Sequence, residues 1–150
     1  FILTIPFFLR RFGIKQVMLF SMIAWVLRFA LFGVGNPGSG LTLLLLSMIV
    51  YGMAFDFFNI SGSLFVDREA RPEIRASAQG LFMLMTNGLG AILGGLFAGK
   101  IVDYFTDAAG TKDWQNIWFS FAAYSLVIAV LFLATFKYKH QPGQASDIKH

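Results

Sequence analysis

The stretch from Leu41 to Val66 reads LTLLLLSMIVYGMAFDFFNISGSLFV, and it decides how the rest of the chain is interpreted. It is longer than the about 20 mostly apolar residues that a helix needs to cross the hydrocarbon core of a bilayer. Asp56 is its one charged side chain. A charge in mid-membrane is costly enough that, by default, it marks a substrate, ion or proton pathway. The stretch therefore predicts a membrane-spanning helix with a functional carboxylate.

The composition extends this prediction from one helix to the whole chain. Hydrophobic residues make up 57% of the 150 residues and charged residues 13%, with a net charge of +4, which is typical of an integral membrane protein in a lipid bilayer. The basic residues lie between apolar stretches rather than on one basic face, which argues against a nucleic-acid partner. The chain has no Cys, and His140 and His150 both lie in its polar tail, so we expect no metal site and no cofactor.

The apolar stretches predict four complete spans after an incomplete first one. Residues 1–9 (FILTIPFFL) read as the last third of a helix that starts upstream, so we expect the C-terminal part of a longer protein. The complete spans are predicted at Val17 to Val34, Leu41 to Val66, Ala76 to Phe105 and Ile117 to Phe136. Residues 1–139 would form one C-terminal transmembrane bundle, and residues 140–150 a polar cytoplasmic tail.

The positions of Lys and Arg predict which ends of the spans face the cytoplasm, where short loops carry an excess of positive charge. Basic side chains occur in the first loop, in the third loop and after the last span, at Arg10, Arg11, Lys15, Arg68, Arg71, Arg75, Lys137 and Lys139. The loop at 36–40 (NPGSG) has no charge, and Lys112 is the only basic residue of the loop at 106–116. We therefore expect the C-terminus in the cytoplasm.

The loop sequences and the third full span suggest how the helices pack. Asn36, Pro37 and Gly38 favour a tight turn, which predicts a hairpin of the first two full spans, and Pro72 favours a helix break before the third. That third span contains many small residues, at Gly80, Gly88, Gly90, Ala91, Gly94, Gly95, Ala98 and Gly99. Small residues at such spacing let helix backbones approach closely in lipid. Plain bundle packing and a role in conformational change are equally good interpretations.

One face of the second full span combines aromatic and polar side chains. Residues three and four apart share a helix face, and this face carries Tyr51, Phe55, Asn59, Gly62 and Ser63, with Asp56 at its edge. Such a face suits stacking against a heterocyclic or sugar ring whose orientation the polar atoms fix. Without Asp56, packing would be the better interpretation. With it, we predict a binding site.

Arg28 is a second charge inside a predicted span. It lies eleven residues from the start of its span, and Asp56 lies ten from the end of the next, which places both about 15 to 17 Å deep at 1.5 Å per residue. We therefore predict that Arg28 and Asp56 pair, directly or across a shared polar cavity, because pairing offsets the cost of burying both charges. The equal alternative is that Arg28 snorkels to the interface or bonds to helix carbonyls.

The segment YGMAFDFFNISGS at 51–63 also carries a family resemblance. Together with AWVLRFALF at 24–32, RASAQG at 75–80, MTNG at 85–88 and FKYKH at 136–140, it closely resembles the bacterial nucleoside:proton symporters of the major facilitator superfamily, which include nucleoside and xanthosine permeases. The resemblance runs over nearly the whole chain, with several motifs in order.

The resemblance implies an all-α membrane protein with twelve helices, of which this chain would hold the end of helix eight and helices nine to twelve. It implies nucleoside uptake across the bacterial inner membrane, driven by the proton gradient, and no enzyme chemistry. In this family the tenth helix contributes to the nucleoside site. By motif, Tyr51 and Phe55 would contact the nucleoside, and Asp56 would bind the sugar or carry the proton, with Arg28 a second candidate for proton coupling. The missing N-terminal half of the same chain would supply the other site residues.

Two alternatives stay open at this point. One is a symporter for a sugar or another small solute. The other is a non-transporting membrane subunit or a membrane-embedded enzyme, in which Asp56 would be structural or catalytic. Intramembrane catalysis would favour a second carboxylate or a His at the depth of Asp56, and this sequence offers none.

Overall fold

The computed structural model describes residues 2–138, so the predicted tail at 140–150 lies outside the described residues. The described part of the chain is all-α, as predicted. Its helices are α1 (Ile5–Val34, after a 3-10 turn at Ile2–Thr4), α2 (Leu41–Glu69), α3 (Arg75–Met83, after a 3-10 turn at Pro72–Ile74), a π-helical segment (Leu84–Leu89), α4 (Gly90–Tyr104) and α5 (Trp114–Thr135).

Four helical stretches are long and apolar enough to cross a membrane, which confirms the predicted number of spans. They cover Ile5–Val34, Leu41–Glu69, Pro72–Tyr104 and Trp114–Thr135, with mean hydropathy between 1.7 and 2.3. Two of the helix ends that differ from the prediction involve a charged residue. α2 continues through the acidic residues to Glu69. α5 begins at Trp114 because the Asp113 carboxylate caps it, accepting a hydrogen bond from the Asn116 backbone N–H at 3.2 Å.

The predicted first loop, with Arg10, Arg11 and Lys15, is a sharp bend at Gly13. Helical backbone continues on both sides, and Gly13 alone has non-helical angles, φ 80° and ψ 168°, a region that essentially only glycine adopts. The ring centroids of Phe8 and Phe20 are 6.4 Å apart, whereas twelve residues of straight helix would separate them by about 18 Å. The arm at 5–12 therefore folds back against residues 14–34, and the span predicted from Val17 already begins at residue 14.

The core lies where both arms of α1 meet α2. Phe57 is fully buried there, together with Ile5 and Val17, and its ring lies 5.1 Å from that of Phe8. Apolar residues around these three complete the cluster, at Leu9, Phe12, Phe20, Met53 and Ile60. The Gly13 bend thus supplies two packing surfaces for one face of α2.

The predicted turn at Asn36 forms and joins α1 to α2. The Asn36 side-chain oxygen accepts hydrogen bonds from the backbone N–H groups of Gly38 at 3.0 Å and Gly40 at 3.1 Å, as Asn commonly does in turns. Gly35 lies directly against Leu44, since a β-carbon on Gly35 would stand 2.5 Å from a Leu44 methyl carbon. This contact fixes the register of the two helices.

Three contacts join the end of α2 to α3, and we call them the α2–α3 clamp. Ser63 donates a hydrogen bond to the Gln79 side-chain oxygen at 3.0 Å, and the Gln79 amide donates to the Ser63 backbone carbonyl at 2.7 Å. A β-carbon on Gly62 would stand 2.5 Å from the tip of the Phe82 ring. Arg75 pairs with Asp67 at 3.2 Å across the connection. At the closest contact between α2 and α3, the glycine is therefore Gly62 of α2 and not one of the glycines of the third span.

Beyond the clamp, the third span departs from α-helical geometry and from close packing. Its middle is the π-helical segment Leu84–Leu89, a distortion that is frequent at functional sites. Added β-carbons on Gly80, Gly94, Gly95 and Gly99 would meet nothing within 4 Å among the described residues. Close packing at these glycines, one of the two interpretations of the small residues, is therefore not made inside this part of the chain. A role in conformational change stays a prediction.

The described basic segments gather at one end of the bundle. The Lys15 ammonium donates to the Leu133 backbone carbonyl at 3.3 Å, near the end of α5. Phe65, two residues before the Asp67–Arg75 pair, contacts the rings of Phe136 at 5.1 Å and Tyr138 at 5.4 Å. The Gly13 bend, the α2–α3 connection and the start of the C-terminal segment therefore share one end, as the charge pattern requires. That this end is cytoplasmic stays a prediction.

Candidate functional site

The aromatic pair predicted on α2 is formed. The rings of Tyr51 and Phe55 lie 5.8 Å apart at an angle of 44°, because residues four apart on a helix lie one above the other. The Phe55 side chain remains 44% exposed, so its ring surface is available for stacking. Phe57, which faces away from this pair, is instead fully buried in the core.

Asp56 lies at the edge of this face and is partly buried. Among the residues that the structure describes, its carboxylate takes part in no ion pair and no hydrogen bond. An ionised carboxylate accepts up to four hydrogen bonds. Within this part of the chain all of that capacity remains for a hydroxyl, for a proton or for a group from another segment.

Asn59 is only partly available for binding. Its side-chain NH2 donates a hydrogen bond to the backbone carbonyl of Phe55 at 2.9 Å, one turn back. This bond fixes the amide and leaves its oxygen as an acceptor. Asn59 can therefore accept from a ligand hydroxyl or N–H, while part of its donor capacity is used by the helix.

The predicted polar face divides at Gly62. Gly62 and Ser63 are part of the α2–α3 clamp and contact Phe82 and Gln79. They therefore hold the helix in place and do not line an open surface. The open part of the face is shorter than the sequence suggests, and it runs from Tyr51 to Asn59.

Arg28 does not pair directly with Asp56, and that part of the prediction is wrong. Within residues 2–138 the two side chains form no ion pair with each other, whereas Asp67 does pair with Arg75. The Arg28 guanidinium carbon lies over the ring of Tyr51, 4.1 Å from its centroid. Gly35 beside Leu44 sets the same register, so Arg28 is level with Tyr51, and Asp56 lies five residues further along α2, which is about 7.5 Å. A shared polar cavity between the two charges stays a prediction.

Two further aromatic residues surround Arg28 and were not singled out from the sequence. The guanidinium carbon lies 5.1 Å from the Trp25 ring centroid and 5.5 Å from that of Phe32. Trp25 also meets Tyr51 edge to face, with centroids 5.5 Å apart at 75°. The spacing of residues 25, 28 and 32 places them on one helix face, and this was the available signal. We call Trp25, Arg28, Phe32 and Tyr51 the Arg28 cluster.

A separate apolar groove of about 360 Å³ lies between α1, α4 and α5. Its lining consists of Phe29, Gly94, Phe97, Ala98, Ile101, Trp118, Phe121, Tyr124 and Ser125. Its lining is uncharged and mostly apolar, with the hydroxyls of Tyr124 and Ser125 and the indole N–H of Trp118 as its polar side-chain groups, so it suits an apolar occupant better than a polar solute. No group of three His, Cys, Asp or Glu suited to a metal ion occurs among the described residues. The chemistry of the described chain is therefore concentrated at Tyr51 to Asn59 and the Arg28 cluster.

This arrangement offers three chemical functions within a few helix turns. The Tyr51 and Phe55 rings can stack on a planar heterocycle. The Asn59 oxygen and the Asp56 carboxylate can accept hydrogen bonds from hydroxyl groups. A carboxyl group such as that of Asp56 can also carry a proton.

Comparison with known proteins gives consistent results along the whole chain. The family model described as "Nucleoside H+ symporter" matches residues 1–141. The nucleoside permease NupG of Escherichia coli (strain K12) is 63% identical over 141 residues, which cover 93% of this chain and 34% of that protein. The xanthosine permease of the same organism is 62% identical over 151 residues, which cover 100% of this chain and 35% of that protein.

Solved structures agree with the sequence relatives. A crystal structure of the nucleoside transporter NupG matches with a TM-score of 0.85 and 63% identity, over 93% of this chain and 34% of that one. A crystal structure of an aspartate-to-alanine mutant of NupG matches with a TM-score of 0.85 and 62% identity, over 91% and 34%. The chain thus spans about a third of the length of the relatives that it matches.

Proposed function

Because the chain belongs to the nucleoside H+ symporter family, we propose that the protein carrying it takes up nucleosides together with protons across the bacterial inner membrane. The open face of α2 is the observation that carries the proposal, since its Tyr51 and Phe55 rings lie beside an Asp56 carboxylate that has no partner within the described part of the chain. Transport proceeds by alternating access, in which two halves of the molecule move about a central site. The driving force is the proton gradient, and no cofactor is required.

We assign contact with the substrate to the side chains along this face. Tyr51 and Phe55 stack on the nucleobase, since their rings adjoin and Phe55 is 44% exposed. The Asn59 NH2 group is bound to the Phe55 carbonyl. Asn59 therefore offers the ligand its side-chain oxygen, which accepts a hydrogen bond from a hydroxyl or a base N–H. Asp56, one residue beyond Phe55, is within reach of the same ligand.

Asp56 has two compatible roles, as a partner of the ribose hydroxyls and as the proton carrier. A carboxylate without a fixed partner suits both, because it can accept from a hydroxyl when ionised and carry a proton when neutral. Arg28 remains a second candidate for proton coupling through its charge. Its position against the Tyr51 ring supports a different role, that of holding an aromatic side chain in place.

The rest of the site comes from elsewhere in the complete protein. The chain spans about a third of its relatives, and we assign it to the C-terminal third of a twelve-helix transporter, with its C-terminus in the cytoplasm. The unpacked glycines of the third span support this assignment, since small-residue helix faces in lipid usually meet another helix. The missing N-terminal part supplies that partner and the opposite wall of the site.

Uptake of radiolabelled uridine or xanthosine by cells that produce the complete protein tests the proposal. We expect uptake that collapses with an uncoupler and that Asp56→Asn abolishes, while the matched variant Asp103→Asn, at an exposed position near the end of α4, behaves as wild type. Unlabelled nucleoside should compete, and free ribose or another sugar should not. Wild-type uptake that ignores the uncoupler, or competition by sugars alone, would contradict the proposal.

Counterflow separates the two roles of Asp56. Exchange of labelled for unlabelled nucleoside at equal concentrations needs binding and reorientation but no net proton movement. If Asp56 only carries the proton, Asp56→Asn keeps counterflow and loses accumulation. If it only binds the ribose, the variant loses both, and a 2′,3′-dideoxynucleoside, which lacks those hydroxyls, competes poorly with labelled nucleoside in the wild type.

A further inference from the structure

The Arg28 cluster is the strongest feature that the proposed function does not use. Its cation is surrounded by three rings, with the guanidinium carbon 4.1 Å from the centroid of Tyr51, 5.1 Å from Trp25 and 5.5 Å from Phe32. The Arg28 Nε atom is buried and has no hydrogen-bond partner among residues 2–138. The described residues thus stabilise this charge mainly with aromatic faces.

This contact is strong enough to hold a side chain in place. A cation over an aromatic face gains more when both groups are shielded from water, and Arg28 and Tyr51 are both partly buried. Arg28 therefore restricts Tyr51 on one ring face. Trp25, whose ring meets Tyr51 at 75° with centroids 5.5 Å apart, restricts it from a second direction.

We propose that Arg28 is a positioning residue, whose guanidinium covers one face of Tyr51 and fixes the ring for stacking of the nucleobase on the other face. The inference rests on the proposed function, because it concerns the same binding face. It explains why a partly buried charge is tolerated level with Tyr51 rather than with Asp56. It also distinguishes the roles of the two rings. Tyr51 is held in place by the cluster, whereas Phe55 is the more exposed ring.

The order of the contacts supports this assignment. Arg28 contacts Tyr51, and Tyr51 contacts Phe55, so the cation sits behind the aromatic pair. On the other side Phe32 stacks on Trp118 of α5, with centroids 4.8 Å apart at 23°. The cluster is therefore anchored on α5, and a shift of Arg28 would be opposed by packed rings on both neighbouring helices.

Transport kinetics of the complete protein test the inference. Arg28→Met keeps the length of the side chain and removes its charge, and we expect KM for nucleoside to rise on the order of tenfold with Vmax nearly unchanged. Arg28→Lys keeps a cation, and we expect a smaller rise. The matched control is Arg11→Met, since Arg11 also lies over a ring, Phe12, at 6.0 Å, but belongs to the arm before Gly13. It should leave KM unchanged.

A double-mutant cycle tests the contact itself without substrate. Unfolding of the detergent-solubilised protein is followed for Arg28→Met, for Tyr51→Leu and for both together. If the guanidinium acts through Tyr51, the double variant is less destabilised than the two single effects combined. Tyr51→Phe keeps the ring, so in that background the effect of Arg28→Met should persist in full.

The possible outcomes separate this inference from the proposed function. Absence of nucleoside uptake by the wild-type protein would refute the function and with it this inference. Normal uptake with an unchanged KM in Arg28→Met, or with single effects that simply add in the cycle, would refute this inference alone. If Arg28→Met does not accumulate in membranes, Arg28→Lys decides by the same KM comparison at smaller amplitude.

Discussion

Asn59 shows how a single residue combines a structural and a functional part. Its NH2 group bonds to the Phe55 carbonyl at 2.9 Å, and this bond determines where its oxygen points. Polar side chains inside membrane helices usually satisfy themselves in this way, because no water is available to pair with them. A polar residue on a helix wheel therefore indicates capacity for binding only after its internal hydrogen bonds are subtracted.

At the same scale, Phe57 is the residue whose loss should cost most stability. It is fully buried between Phe8 and Val17, so Phe57→Ala leaves a cavity and should lower the free energy of unfolding by roughly 3 kcal/mol. The matched variant is Phe97→Ala, since Phe97 is 56% exposed, and it should change stability little. Unfolding in detergent measures both, and equal losses would show that Phe57 does not occupy the core.

The site was predictable from the sequence as a set of residues and less so as a set of contacts. Helix periodicity placed Tyr51 beside Phe55, because that neighbourhood depends only on backbone geometry. The partner of Arg28 depends on the register between two helices, which is set by Gly35 against Leu44 at the turn. Counting residues from span ends could not give this register, because α2 extends to Glu69.

At the scale of elements, the α2–α3 clamp links three kinds of interaction along one helix pair. The Asp67–Arg75 ion pair has side chains about half exposed, 47% and 46%, and contributes little at such an exposed position. The two hydrogen bonds between Ser63 and Gln79 are worth on the order of 1 kcal/mol each in a membrane helix pair. The clamp thus depends mainly on Gln79 and on the absence of a side chain at Gly62.

The bend in α1 gives a second test at this scale. Gly13 has φ 80° and ψ 168°, so Gly13→Ala should destabilise the protein by about 1 to 3 kcal/mol. Ser77→Ala is the control, because Ser77 is helical and exposed. It should be neutral or slightly stabilising. Thermal unfolding in detergent compares the two, and a Gly13→Ala protein as stable as Ser77→Ala would disprove strain at the bend.

Element ends were predicted best where an apolar run ends in a turn. Val34 and Leu41 bound the first hairpin as predicted, because the Asn36 side chain holds the turn between them. The π-helical segment Leu84–Leu89 was not predicted. Its sequence, LMTNGL, carries no breaker apart from Gly88, and the choice between α and π hydrogen bonding depends on packing rather than on local propensity.

For the whole molecule, the proposed function makes the described helices one wall of a transporter. The Asp56 carboxylate and the unpacked glycines of the third span both lack partners among the described residues. When residues 1–150 are produced alone and inserted into membranes, we expect no nucleoside uptake above the level of an empty vector, because alternating access needs two moving halves. The complete protein, produced in parallel, is the positive control. Uptake by the fragment would mean that this chain carries a full site.

The Gly13 bend sets the length of the first spanning helix. A straight helix over the 30 residues of Ile5–Val34 would be about 45 Å long, which exceeds the roughly 30 Å of hydrocarbon in a single passage. Because the chain reverses at Gly13, the straight helix that remains, residues 14–34, is about 31 Å long and matches one passage. One residue without a side chain thus trims the helix to the thickness of the bilayer and sets the direction in which the chain enters it.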